Sequence, residues 1–409
     1  MEIVLPLGIS FFTFQQIAYL VDVYREQGPR YRFVDYAAFV SFFPQLIAGP
    51  IVHHRHFISQ LGLDRMCGFN WSNLVIGVSI FTIGLFKKVA IADGFAVIAN
   101  KVFGAAEQGL DVTFADAWLG AIAYTFQIYF DFSGYGDMAL GLAAMIGLSL
   151  PINFNSPYKS RSIIEFWQRW HMTLSAFLKN YLYIPLGGNR YGSWMKYRNL
   201  AIVMLLGGLW HGASWSFVIW VGLHGCYLII NHGWRRLVPS TKAGMFARVI
   251  NAGYWLITMI AVVFAWVFFR AESLEAATSL SRSMLAFNSQ WQLVVPASVV
   301  ALAGKFGLTL GDHWFFVGGL FATVHVPDTH YQFLVYGIWL AIGIVVVLPN
   351  TAQLFGRYEK QVPVETNPFG DWVMMHWRPN LWWGMFVGIL LTVSVLMLSQ
   401  VTEFIYFNF

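Results

Sequence analysis

His211 lies in the string Gly-Gly-Leu-Trp-His-Gly-Ala-Ser-Trp, and it is the only ionisable side chain between Leu200 and Leu223. It follows Arg198 by about a dozen residues, roughly 18 Å at 1.5 Å per helical residue, which puts it near the middle of an apolar layer about 30 Å thick. An ionisable group there is expensive and is a functional candidate by default. An imidazole that takes the proton of a hydroxyl contributes about 100- to 10,000-fold to its attack on an acyl carbon. Burial disfavours the charged form of any imidazole, so such a base stays ready to accept a proton. Acyl transfer from a thioester suits the site, because the donor already carries a good leaving group. In an equally simple scheme His211 itself attacks and carries the acyl group transiently. Against both stands a packing role, in which the ring hydrogen-bonds a neighbouring helix across the small residues Gly208 and Gly212.

Other residues are weaker candidates. His171 closes the string Glu165-Phe-Trp-Gln-Arg-Trp-His171 at the edge of a basic segment, where a histidine costs little. His224, in Gly-Leu-His-Gly, reads as a packing residue. Asp131 and Asp137 read as caps and hydrogen-bond partners where two helices meet. His53, His54 and His56, with Arg55 among them, read as a solvated loop, since adjacent histidines rarely converge on one ion; no metal is expected. Neither a phosphate-binding glycine loop nor a Gly-x-Ser-x-Gly elbow is present, and Cys67 and Cys226 have no metal-ligand spacing.

Composition sets the elements that must hold these residues. Of 409 residues 57% are hydrophobic and 11% charged, and the net charge is only +5, which excludes disorder and a nucleic-acid-binding stripe and points to a membrane. The expected fold is all-α: a polytopic transmembrane helical protein with broken or re-entrant helices and an interfacial amphipathic helix. Candidate spans are 3–23, 36–52, 74–92, 115–130, 138–150, 200–230, 250–269, 333–348 and 381–398, with 293–326 ambiguous. Lys159, Arg161, Arg169, Lys179, Arg190, Lys196 and Arg198 against Glu165 alone mark a cytoplasmic segment, and Arg235, Arg236, Lys242 and Arg248 a second. Only 36 residues lie between Arg198 and Arg235, fewer than two full crossings need, so a broken helix or hairpin with His211 at its deepest point is predicted. Leu174, Phe177, Leu178, Tyr181 and Leu182 share one face of the amphipathic helix, and Pro185, Gly187, Gly188 and Asn189 end it.

The strings Pro-Leu-Gly-Ile-Ser-Phe-Phe-Thr-Phe (6–14), Phe-Pro-Gln-Leu-Ile-Ala-Gly-Pro (43–50), Phe-Asp-Phe-Ser-Gly-Tyr (130–135), Phe166 to His171, Tyr-Leu-Tyr-Ile-Pro-Leu-Gly-Gly-Asn-Arg (181–190), Gly-Leu-Trp-His-Gly (208–212) and Leu-Pro-Asn-Thr (348–351) closely resemble the membrane-bound O-acyltransferases. Within that family they look most like the branch that acetylates alginate. The resemblance implies that His211 is catalytic and that His171 is its companion. It implies acetyl-CoA as a donor substrate, with no bound cofactor, at the cytoplasmic face of a bacterial inner membrane. It further implies a periplasmic partner of acetylesterase-like type that passes the acetyl group to an exopolysaccharide. Arg161, Arg169, Lys179 and Arg190 are the nearest cations for the donor's phosphates. The first motif begins at residue 6, whereas relatives carry further helices before it, so residues 1–409 are expected to form one membrane-embedded domain lacking those helices. Gln168 and Lys179-Asn180 stand where Arg and Arg-Asp are usual. Rival readings are an acyltransferase for another envelope acceptor, D-alanyl or lipid-linked, and a transporter using His211 and Asp131.

Overall fold

A computed structural model describes residues 8–25, 31–62, 69–238, 245–286, 328–356, 376–400 and 405. The described residues form helices, turns and loops, with no strand among them. The first helices are α1 (Ile9–Tyr24), α2 (Phe33–Ser41) and α3 (His54–Ile58), followed by α4 (Trp71–Phe86), α5 (Asp93–Glu107) and α6 (Phe114–Met145). A π-helical turn, Lys87–Ala92, joins α4 to α5 without a break, so 37 residues run as one apolar unit from Trp71 to Glu107. This unit and Ala247–Arg270 are the two described helices long and apolar enough to cross a membrane.

The long unit packs antiparallel on α6 through paired glycines. A Cβ on Gly84 would lie 2.6 Å from the Gly134 carbonyl oxygen, and one on Gly77 would lie 2.6 Å from that of Gly141. Both members of each pair are seven residues from the next, so the two backbones touch along two turns of one face. α6 is capped by Thr113, whose hydroxyl accepts the Asp116 amide, and it ends where Gly147 takes φ 79°.

Several expected spans are redrawn. Segments 115–130 and 138–150 are one 32-residue helix, α6: Gly134 and Gly141 pack closely on the long unit, and Ser133 and Gly136 do not break the helix. Asp131 and Asp137 are therefore in mid-helix, paired with lysines of the π turn, and cap nothing: Lys88 Nζ lies 2.8 Å from both Asp131 and Asp93, and Lys87 Nζ lies 2.5 Å from Asp137. Segment 36–52 is no span. Pro44 ends the nine-residue α2 in a short turn, 43–45, and the buried Gln45 side chain donates to the Phe39 carbonyl oxygen at 2.8 Å. The ambiguous stretch 293–326 and Cys67 lie outside the described residues.

The basic segment holds α7 (Ile163–Arg169) and α8 (Met172–Leu178). The amphipathic helix continues after Leu178 as a second π turn, Lys179–Tyr183, in which Tyr181 and Leu182 are only half-buried where Leu174 is buried. α9 (Gly192–His211) and α10 (Trp215–Leu237) then form a hairpin, with His211 the last residue before the turn. α11 (Met245–Arg270), α12 (Leu274–Leu285), α13 (Asp328–Val347), α14 (Thr351–Phe355) and α15 (Leu381–Met397) complete the described helices.

Candidate functional site

Glycine shapes the tip of the α9–α10 hairpin. Gly208 packs directly on Val221 of the returning helix, and a Cβ on Gly212 would lie 2.6 Å from the Phe217 ring. Ser214 caps α10 by accepting the Ser216 amide at 3.2 Å. His211 is thereby held, 6% exposed, among Trp210, Trp220 and Phe269, whose ring centroids lie 4.6, 5.5 and 5.0 Å away. Segment 200–230 is thus the hairpin that its short charge-to-charge separation predicts.

His171 comes from a different element and reaches the same place. It sits between α7 and α8 with φ 44°, a left-handed conformation rare outside glycine, and this bend turns its ring into the interior at 2% exposure. Asn153 holds it there. The Asn153 Oδ1 accepts Thr173 Oγ1 at 3.0 Å, so the ring's Nδ1, also 3.0 Å away, carries a proton and donates to it. Nε2 is then the basic nitrogen of His171. Burial and the neighbouring His211 hold the His171 imidazole well below its ordinary pKa, so the ring is neutral. Trp210 bridges the pair, its ring centroid 4.6 Å from His211 and 6.5 Å from His171.

His211 forms part of the wall of a half-open apolar cavity of about 270 Å³ lined by α7, α8, the π turn after it, α9 and α10. Trp167, Leu178 and Trp220 line it, and Lys179, Tyr183 and His232 also contribute. Lys196, Arg235 and Arg236 stand close enough to His232 to act on it electrostatically. From Trp220 to His232 the wall follows α10 for twelve residues, about 18 Å. The chamber can admit an acyl group and an apolar arm, and its His232 end offers cations to an anionic head.

Of the four cations expected near the donor, only Lys179 lines this cavity. Arg169 is 9% exposed and committed inside the fold, with NH2 3.0 Å from Glu165 and NH1 donating to the Asn155 carbonyl oxygen at 3.2 Å. Arg161 turns to the same Glu165 at 3.7 Å, and Arg190 is exposed on the turn before α9. Glu165, the one acidic residue in the basic segment, captures Arg169 of α7 and Arg161 just before that helix, and so keeps them from the cavity. Sequence reasoning missed Asn153, Trp210 and His232, and took Arg235 and Arg236 only as topology markers. A signal existed: on α10, His224 to Leu228 to His232 is an i, i+4, i+8 stripe. His224 is fully buried among Phe166, Trp167 and Trp220, as a packing residue would be.

The histidine cluster at 53–56 is not a solvated loop. His54 starts α3 and is 1% exposed, and it meets Asp22 together with His53. The three donor atoms lie within 4.8 Å of one another, a grouping the sequence could not show because Asp22 is thirty residues away on α1.

The family model for membrane-bound O-acyltransferases matches residues 2–271, and the chain belongs to this family of integral membrane proteins. It is 46% identical to a peptidoglycan O-acetyltransferase of Helicobacter pylori over 70% of this chain and 58% of that protein. It is 46% identical to a probable alginate O-acetylase of Pseudomonas aeruginosa over 71% of this chain and 54% of that protein. It is 29% identical to a teichoic acid D-alanyltransferase of Bacillus subtilis over 54% of this chain and 58% of that protein. The chain thus spans just over half the length of the curated relatives it matches.

Proposed function

We propose that this protein is an O-acetyltransferase that takes an acetyl group from acetyl-CoA at the cytoplasmic face of a bacterial inner membrane and moves it toward an exported, alginate-like polysaccharide. The observation that carries the reading is the pairing of two buried histidines, one in the wall of an apolar cavity, with cations beside that cavity. His211 removes the proton of the attacking hydroxyl, the ester C–O bond forms as the thioester C–S bond breaks, and the proton passes to the departing thiolate. His171, oriented by Asn153, holds the second basic nitrogen beside this path. Lys179, with Lys196, Arg235 and Arg236, receives the donor's phosphates, and the narrow arm lies along α10. The acceptor side is completed by a periplasmic partner of acetylesterase-like type that carries the acetyl group to the polymer.

The domain is multi-pass, and the α9–α10 hairpin carries His211 into the membrane from the cytoplasm. The names of the relatives support a hydroxyl acceptor in the cell envelope: alginate, peptidoglycan and teichoic acid all occur among them. The deciding measurement is the content of acetyl esters on exported polysaccharide from cells with the wild-type chain, His211→Gln, or none. Acetylation that depends on the chain and is lost with His211→Gln supports the reading. Unchanged acetylation with transport of a solute across vesicles would replace it with the transporter.

A further inference from the structure

Asp22, near the end of α1, is 6% exposed and collects three donors. His53 and His54 approach its Oδ2 through Nε2 at 2.9 and 3.0 Å, and the Tyr181 hydroxyl reaches Oδ1 at 3.1 Å. The tautomers follow from the far side of each ring. His53 Nδ1 accepts the Arg55 amide at 3.3 Å, and His54 Nδ1 faces the Tyr31 hydroxyl at 3.1 Å, which has a proton to donate. Both Nε2 atoms therefore carry hydrogens that point at the carboxylate. A metal bound through these atoms would need the His53 proton moved to Nδ1, where the Arg55 N–H already points, so the contacts fit hydrogen bonds.

Tyr181 sits in the π turn that follows α8, and the same strap of chain holds the start of α8 as well, because the Ile51 amide donates to Thr173 Oγ1 at 3.0 Å. Between these two ties, Leu174, Ser175, Leu178 and Lys179 line the cavity. We propose that Asp22, His53, His54 and Tyr181 form a clasp that fixes the α8 wall of the cavity, which makes Asp22 and Tyr181 positioning residues for donor binding. This rests on the donor-cavity reading above. The clasp joins α1, the strap at 51–54 and the π turn, three segments far apart in the sequence.

The test uses the full chain in native membrane vesicles, with Cys67→Ser, Cys226→Ser and Ser175→Cys to report on the wall. Thiol release from acetyl-CoA gives KM and kcat, and a membrane-impermeant maleimide gives the labelling rate at position 175. Each lost hydrogen bond to a charged group corresponds to about a tenfold change or more, so Tyr181→Phe, which removes one bond to Asp22, should raise KM about tenfold, and Asp22→Asn, which weakens all three, should raise it further, with kcat within about twofold. Both should quicken labelling. Unchanged labelling in both variants overturns the clasp, even if no thiol release is seen from any variant and the donor reading itself fails. Faster labelling with unchanged KM overturns the positioning role. One equivalent of zinc held by the wild-type protein and lost in Asp22→Asn overturns the hydrogen-bonded form in favour of a metal centre.

Discussion

Around the π turn between α4 and α5, buried charge meets buried charge where Lys88 lies 2.8 Å from both Asp93 and Asp131, and beside them the half-buried Lys87 reaches the half-buried Asp137. Around His211 and His171 the buried groups are imidazoles, walled by aromatic rings and bordered by a cavity. Both regions place ionisable side chains in apolar surroundings, where an isolated charge costs several kcal/mol. In the first the cost is offset by opposite charges at contact distance, and the pocket beside Lys87 and Asp137 is no more than about 20 Å³. In the second it is avoided, because a neutral ring needs no counter-ion, and space is left for another molecule. Charge pairing with no room marks a joint, whereas uncharged bases beside a chamber mark a place for chemistry.

Breaking the joint should have the largest effect. Lys88→Met leaves Asp93 and Asp131 facing one another without their cation and should destabilise the protein by about 3–5 kcal/mol, read as lost accumulation in the membrane or a lower denaturation midpoint in detergent. Lys88→Met combined with Asp93→Asn and Asp131→Asn should recover much of that loss, and a triple variant no better than the single one would remove the account. His211→Gln is the matching test of the chamber. Acetyl transfer should fall about 100-fold or more while accumulation stays normal, since glutamine keeps a hydrogen-bonding side chain but no base. Near-normal transfer would make His211 a packing residue.

Smaller effects sharpen the contrast. Gly141→Val places a side chain within 2.6 Å of the Gly77 carbonyl oxygen and of the Phe81 amide, and should destabilise by about 1–3 kcal/mol without changing the donor KM of the surviving protein. Lys179→Gln with Arg235→Gln should do the reverse, raising the donor KM about three- to tenfold with kcat and stability nearly unchanged, the mark of lost uniform binding. Arg169→Gln, although in the same basic segment, should behave like the glycine variant, because it breaks the pair with Glu165 and not a donor contact. A raised KM with intact stability for Arg169→Gln would return that residue to the donor site.

The sequence by itself determined that the chain is helical and membrane-embedded, and it singled out His211. An ionisable residue alone in an apolar run is legible without coordinates, because the cost of burying it depends only on its surroundings along the helix. The turn at His211 was legible as well, since 36 residues between two basic clusters are too few for two full crossings. The motifs named the family for the same reason: they are local strings.

Partnership across the chain was decided by tertiary structure alone. Asp131 and Lys88 are 43 positions apart, Asp22 and Tyr181 159 apart, and Arg235 and Ser162 73 apart, yet each pair is in contact. No periodicity links such pairs, and only the packing of helices sets which carboxylate meets which cation. Arg169 and Lys179 look alike as basic residues in one segment, but Glu165 lies one helical turn before the first and draws it inward. The second stands on a π turn against the cavity, where its charge remains available to an anion.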